Sequence, residues 1–282
     1  MSDGIVPLTA TGDTTTIEPD PRPKIVEVVG GAYTWQKSEE ALSPSLWKNR
    51  EEPAFELKFQ LDHAKAELIR AWAREHLTPD PHGRPELGHA YLVHGLYFDT
   101  PALDVYKRSP RYKRKKFRLR RYGDASTIFL EQKRKSNGKV AKRRVLVAES
   151  DLQRLQEVPD PQWDGHWFHN RLTLRGLVPS CLISYRRQAF FGHNSEGPLR
   201  LTLDYDLRSQ ATQQFKVEPV AAGTPMLADS VLLELKYRKN MPALFRSMMQ
   251  DFGLTPGAVS KYRHAVEVIG RVPIGGGSSD EV

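Results

Sequence analysis

Three triplets with an acid, a gap and a lysine recur in this chain: Glu56-Leu57-Lys58, Glu131-Gln132-Lys133 and Glu234-Leu235-Lys236. Further cations sit at every second position nearby: Lys116, Arg118 and Arg120, then Lys142 and Arg144, with Tyr185 and Arg187 in the same rhythm. Arg200, Thr202 and Asp204 alternate with Leu199, Leu201 and Leu203. Such groups could grip a polyanion, because Arg forks onto two oxygens while Lys supplies a compact charge. A carboxylate among them could hold a divalent cation or orient its lysine.

Each run predicts a strand. In FELKF (55–59) Glu56 and Lys58 share one face while Phe55, Leu57 and Phe59 take the other. Alternation of this kind usually marks a sheet with one face in water. Here Arg and Lys recur at seven strand interiors, and like charges across a sheet repel unless an anion lies on them. A sheet curled around that face forms a barrel with a polar, mostly cationic bore and an apolar exterior. Helices must then cover the exterior. Asp62 is placed to cap a helix reaching about Leu77, with Leu68, Ile69, Trp72 and Leu77 for packing. Pro242 in the first turn starts another that runs to Phe252 before Gly253, and Ser260 precedes a last one over 261–269. Shorter helices are expected near 151–156 and 163–173. The irregular interleaving predicts an α+β fold, a closed antiparallel β-barrel surrounded by helices.

The chain has 282 residues, a net charge of +8 and a pI near 9.5. Between Lys107 and Arg144 stand seventeen Lys or Arg against two acids, so the remainder of the chain is net acidic. The basic character is local and points to an anionic partner. One cysteine, Cys181, excludes a disulfide framework and a cysteine zinc cluster. Residues 1–45 and 271–282 are expected to be flexible tails around a tunnel domain over 50–270. No apolar run suits a membrane span or signal peptide, which gives a cytoplasmic expectation. A P-loop, an HExxH pair and a GxSxG elbow are missing. Phosphate, if bound, must be held by side chains.

The ordered segments FELKF (55–59), GLYFDTP (95–101), KFRLRRY (116–122), FLEQKRK (129–135), KRR (142–144), SYRRQAF (184–190), RLTLD (200–204), LLELKY (232–237) and SKYRHA (260–265) resemble the VTC polyphosphate polymerase domain. That domain lies within the CYTH, or triphosphate tunnel metalloenzyme, superfamily. The resemblance implies a tunnel that binds ATP and polyphosphate with Mn²⁺ or Mg²⁺, moves the γ-phosphoryl of ATP onto a growing chain and releases ADP. Lys58, Arg118, Arg120, Lys133, Lys142, Arg187 and Arg200 match the tunnel cations, Glu234 matches the metal carboxylate, and Lys261 matches a lysine reaching in from the last helix. Arg186 is the alternative to Arg187 if that strand is bulged. Tyr97 to Thr100 is read as a structural turn. Glu56 and Glu131 are expected to orient neighbouring lysines or to moderate repulsion in the empty tunnel.

Two departures follow. Ala54 stands where many relatives in the superfamily carry the first acid of ExExK, which thins the metal site. The SPX domain and membrane helices of eukaryotic polymerases have no counterpart in these residues. Two rival functions stay open: hydrolysis of inorganic triphosphate or a nucleoside triphosphate in the same tunnel, and a non-catalytic polyanion- or RNA-binding module. Nucleic acid is disfavoured because acids share the strand faces with the cations, whereas single-strand binders use open cationic faces with exposed aromatics.

Overall fold

The computed structural model describes residues 25–27, 33–35, 51–194 and 197–271. Two compact units divide the chain, at residues 1–43 and 44–282. In the first, β1 (Ile25–Glu27) pairs antiparallel with β2 (Tyr33–Trp35). The rest of the expected N-terminal tail, and the C-terminal one beyond Arg271, lie outside the described residues.

The second unit is built on ten strands: β3 (Glu51–Leu61), β4 (Thr78–Pro79), β5 (Tyr91–Asp99), β6 (Lys115–Tyr122), β7 (Thr127–Ser136), β8 (Lys139–Ala148), β9 (Val178–Asn194), β10 (Gly197–Ala211), β11 (Thr224–Pro225) and β12 (Val231–Tyr237). Eight of them, in the order β3-β12-β10-β9-β5-β6-β7-β8, close through the β3–β8 pairing into an antiparallel barrel. The two-residue strands β4 and β11 pair only with β9 and β10 respectively. A two-residue Asn137-Gly138 turn joins β7 to β8, with φ of 49° and 73° as a primed hairpin turn requires. Pro179, which has no N–H to give to a ladder, sits in β9 at a register shift against β5.

Alternation decides which side chains point in. The outer face of β3, β12 and β10 presents Phe59, Leu61, Val231, Leu233, Leu235, Leu201 and Leu203, all buried. They pack under α1 (His63–His76) and α4 (Ala243–Asp251) through Ala66, Ile69, Ala73, Phe245 and Met248. On β5 to β8, Leu96, Phe117, Leu119, Ile128, Leu130, Val145 and Val147 are covered by α3 (His166–Thr173) and the 3-10 segment Glu149–Gln156 through Phe168, Leu172, Leu152 and Leu155. A short α2 (Asp104–Lys107) and α5 (Lys261–Val268) complete the set.

The caps act as the sequence implied, with small differences. Asp62 accepts the Lys65 N–H at 2.7 Å, and Ser260 accepts that of Arg263 at 3.4 Å. Pro242 occupies the cap of α4 rather than its first turn, and Gly253 ends that helix with φ of 59°. Leu68, expected in the packing, is instead 60% exposed, because the buried stripe of α1 runs through Ala66, Ile69 and Ala73.

Phe245 is fully buried between α4 and the barrel wall, so Phe245→Ala should cost about 3–5 kcal/mol. Urea denaturation checks this, and a cost under about 1 kcal/mol would show that the wall does not rely on that helix.

Candidate functional site

The register puts one continuous set of side chains on the inner face. Arg118 pairs across from Glu131 and Tyr97, Glu131 from Arg144, Lys133 from Lys142, Lys58 from Glu234, Lys236 from Arg200, and Asp204 from Arg187. They surround a cavity of about 2250 Å³ whose lining carries eighteen Lys or Arg against four acids. Lys58, Arg118, Arg120, Lys133, Lys142, Arg187, Arg200 and Lys261 all line it, as does Glu234. Arg187 points inward and Arg186 outward, where it pairs with Asp206 at 3.2 Å. The bulge in this pair lies on β10, between Tyr205 and Arg208, so β9 keeps its phase through Arg187.

Four carboxylates organise the interior. Glu131, wholly buried, accepts from Arg118 Nε at 2.7 Å, with Arg120 at 3.9 Å and Lys142 at 3.8 Å. Asp204, equally buried, takes Arg187 in a fork at 2.6 and 2.8 Å and Lys261 Nζ at 2.6 Å. Glu56 meets Lys58 at 3.1 Å, Lys133 at 3.4 Å and Lys236 at 3.6 Å. Glu234 holds Lys236 at 2.8 Å. These acids therefore orient cations as well as balance them. Burial alone would raise each carboxyl, but Arg118 and Arg120 hold Glu131 well below the usual range, and Lys236 and Lys133 do the same for Glu234.

Phenols form the second set of partners; alternation placed Tyr122 and Tyr185 on the cationic faces without giving them a role, while Tyr91 and Tyr97 were missed. Tyr97, read as part of a turn, sends its hydroxyl inward to accept from Arg118 Nη1 at 3.1 Å. Arg120 donates to Tyr185 at 3.1 Å and Tyr122 at 3.4 Å, and Arg200 to Tyr91 at 3.1 Å. Burial pushes the Tyr122 phenol up, but the Arg120 guanidinium, together with Lys142 and Arg187, outweighs this and takes it to about 7. The alternation that places Arg120 also places Tyr122, two residues on, so that partner was within reach of the sequence. Asp99 is structural, as expected: it accepts the N–H groups of Val105 and Tyr106 and the Tyr262 hydroxyl.

Arg118 and Arg187 spend much of their forks on protein acceptors, whereas Arg120 Nε, Arg200 Nε and Thr202 Oγ1 are buried without a hydrogen-bond partner. Unsatisfied buried donors are costly and mark where an anion would be welcome. Two further cations complete the site. Lys236 bridges Glu56 and Glu234, and Lys116 donates to Ser260 Oγ at 2.9 Å, tying β6 to the start of α5. Burial first, then the Lys58 charge, brings the Lys116 ammonium down to about 7.

The sequence profile of the VTC domain matches residues 54–269. The chain belongs to the VTC domain family. No curated protein matches the sequence. Among solved structures, this VTC domain is similar to a candidate adenylate cyclase from Bacillus halodurans (12% identity, TM-score 0.47), covering 75% of this chain and 95% of that one. A candidate adenylyl cyclase from Hippeastrum, described as having a dominant triphosphatase activity, shares 15% identity at a TM-score of 0.45, covering 74% and 93%. A protein of Pyrococcus horikoshii follows at 13% and 0.42, covering 75% and 96%. At TM-scores below 0.5 these likenesses are loose, and the barrel is defined by its own strand pairing. Among the described residues of this VTC domain, no helix is long and apolar enough to cross a membrane, and no three His, Cys, Asp or Glu gather into a metal-binding group.

Burial raises the Asp204 carboxyl, and Arg187 and Lys261 outweigh it, leaving the group at about 2 against an ordinary 3.8. A depressed carboxyl stabilises fully above its unfolded value and loses that contribution as pH falls through its folded one. The stability gap between wild type and Asp204→Asn should thus be constant above about pH 4 and close between pH 4 and 2. Denaturant titrations across that window check it; a gap that stays constant down to pH 2 would show that the two cations do not hold this carboxylate.

Proposed function

We propose that this VTC domain is an ATP-dependent polyphosphate polymerase that uses Mn²⁺ or Mg²⁺ and transfers the γ-phosphoryl of ATP to a growing chain inside the barrel. The observation that carries this reading is the convergence on one cavity of cations from seven of the eight barrel strands and from α5, with β5 supplying Tyr91 and Tyr97 instead, in a chain that belongs to the VTC family. At about 2250 Å³ the cavity is well over the roughly 300–1,000 Å³ typical of small-molecule pockets, which suits a nucleotide together with a chain.

Phosphoryl transfer asks mainly for positioning and charge. The acceptor is a terminal phosphate oxygen, already ionised, so no base is needed. That oxygen forms the new bond to the γ-phosphorus while the bond from the γ-phosphorus to the β–γ bridging oxygen breaks. Its electron pair leaves with ADP. Arg120 and Arg200, with unspent Nε donors, would bind non-bridging oxygens directly, and Arg118 and Arg187, fixed by Glu131 and Asp204, would present their remaining edges. Lys58, Lys133, Lys142 and Lys261 would neutralise the chain. A lining of similar cations also lets a repeating anion advance by one phosphate into nearly the same field.

The donor set fits a hard cation that brings its own phosphate ligands. Glu234 and Glu56 share Lys236, and one or two carboxylates are the usual protein contribution for such ions. Glu234 would hold the ion with Glu56 beside it, where the ion would stabilise charge on the transferred phosphoryl.

Wild type with ATP and Mn²⁺ should yield a phosphatase-sensitive ladder on a gel, and Glu234→Gln should reduce it on the order of 10²-fold. Free phosphate without polymer, across divalent metals and short primers, would defeat the polymerase reading in favour of hydrolysis.

A phosphate beside Lys116 raises its pKa from about 7, so triphosphate binding at pH 8 should take up protons and tighten as pH falls towards 6. Calorimetry in buffers of different ionisation enthalpy measures the uptake. A Lys116→Met variant that keeps all of it would assign the proton elsewhere.

A further inference from the structure

The interior does not absorb the whole basic run between Lys107 and Arg144. Alternation sends Lys116, Arg118, Arg120, Lys133, Lys142 and Arg144 inward. Of the outward cations, Arg121 pairs with Glu149 at 2.9 Å and Arg143 lies over the Trp167 ring at 4.2 Å. A third group does neither. It gathers where the loop before β6, the end of β7 and the end of α3 meet.

Backbone and side-chain bonds build this corner. Lys115 stands opposite Arg134 in the ladder, and the Lys135 N–H donates to the Arg114 carbonyl at 2.9 Å. Lys115 Nζ and Arg175 Nη1 both donate to the Arg111 carbonyl, at 3.0 and 3.3 Å, and the Tyr112 hydroxyl donates to the Arg175 carbonyl at 2.7 Å. Arg108 and Arg114 adopt φ of 56° and 63°, a conformation that costs a non-glycine residue energy and is kept where the surroundings demand it. Arg111, Lys115, Arg134, Arg171 and Arg175 thus share one surface, and none forms an ion pair with an acid among the described residues. Partial burial and then the four guanidiniums hold the Lys115 ammonium below its ordinary value. The repulsion is retained without a carboxylate to relieve it, in contrast to the interior, where Glu56, Glu131 and Asp204 are each shared among cations.

The surface is continuous with the cavity, because Lys113, Arg114, Lys115 and Lys135 also line the cavity. We propose that this exterior corner is a binding track for a linear polyphosphate chain, gripping the part of the chain that extends out of the barrel. The inference deepens the polymerase reading and rests on it for the claim that the chain emerges here. Chemistry favours polyphosphate over nucleic acid. The aromatic of the corner, Tyr112, is partly buried against the core, engaged by its hydroxyl at the Arg175 carbonyl and covered on one side by the Arg175 guanidinium at 5.9 Å, rather than held out as an open stacking platform. A polyanion with a charge on every unit and no bases asks only for cations.

The test uses the double variant Arg134→Gln/Arg171→Gln, since neither residue lines the cavity. Binding of long-chain polyphosphate and of tripolyphosphate is measured by competition against a labelled chain at several salt concentrations. Long-chain affinity should fall about tenfold at low salt, the log–log salt slope should lose about one to one and a half, and tripolyphosphate should bind within about twofold of wild type. Polymer made from ATP should also be shorter. Unchanged long-chain affinity and slope would overturn the track, whatever tripolyphosphate does. Single-stranded RNA that competes equally at matched phosphate concentration, and loses affinity equally in the variant, would overturn it in favour of a nucleic-acid surface. Failure of wild type to bind tripolyphosphate would instead remove the interior reading, and with it the claim that a chain emerges at this corner.

Discussion

Taking ions out of water costs several kcal/mol apiece unless partners are supplied, and this barrel places an ionic set on its inside. The cost is offset in two ways. Interior carboxylates are shared among cations, Glu131 among Arg118, Arg120 and Lys142, and Asp204 between Arg187 and Lys261. The outer wall meanwhile recovers hydrophobic free energy at about 1.5–3 kcal/mol for each large apolar side chain it buries under the helices. An apolar exterior and an ionic interior are therefore one requirement, because the alternation that aims Lys58 inward aims Phe59 outward.

The same pairing makes the interior selective in its surplus. Guanidiniums already forked onto protein acids are rigid, and rigid donors lose little entropy when an anion arrives. Tyrosines serve this purpose with less neutralisation than a carboxylate. Tyr97 and Tyr185 steady Arg118 and Arg120 through hydrogen bonds to their hydroxyls.

The barrel wall was legible in the sequence to an unusual degree. Alternation with cations at strand interiors told apart the two faces of FELKF and KFRLRRY, and Asp62, Gly253 and Ser260 marked helix ends through local chemistry. The partners within the cavity were not legible, because they are set by the register of strand pairing, which the alternation of a single strand does not specify, whether the strands are consecutive, as for Arg187 and Asp204, or distant, as for Lys58 and Glu234. Nothing near Arg187 announces Asp204, and nothing near Lys116 announces Ser260, 144 residues away. Tyr97 was hidden by its neighbours: the Asp99-Thr100-Pro101 turn gave the segment a sufficient structural account. The basic run was read as one device, yet its charge is divided by strand parity and by where the strands end. That division becomes visible only once β6, β7 and α3 are placed together.

The closure of the ring has a bearing on how the protein keeps its own company. A sheet with free margins offers rows of unpaired N–H and C=O groups to which another chain can add. Here all eight long strands are paired on both sides, and among the described residues the strands appended to the ring are Thr78–Pro79 and Thr224–Pro225. Each is two residues long, and each carries a proline with no amide hydrogen to offer. A barrel rich in β-structure is thereby guarded against fibrous self-association at its two appended margins.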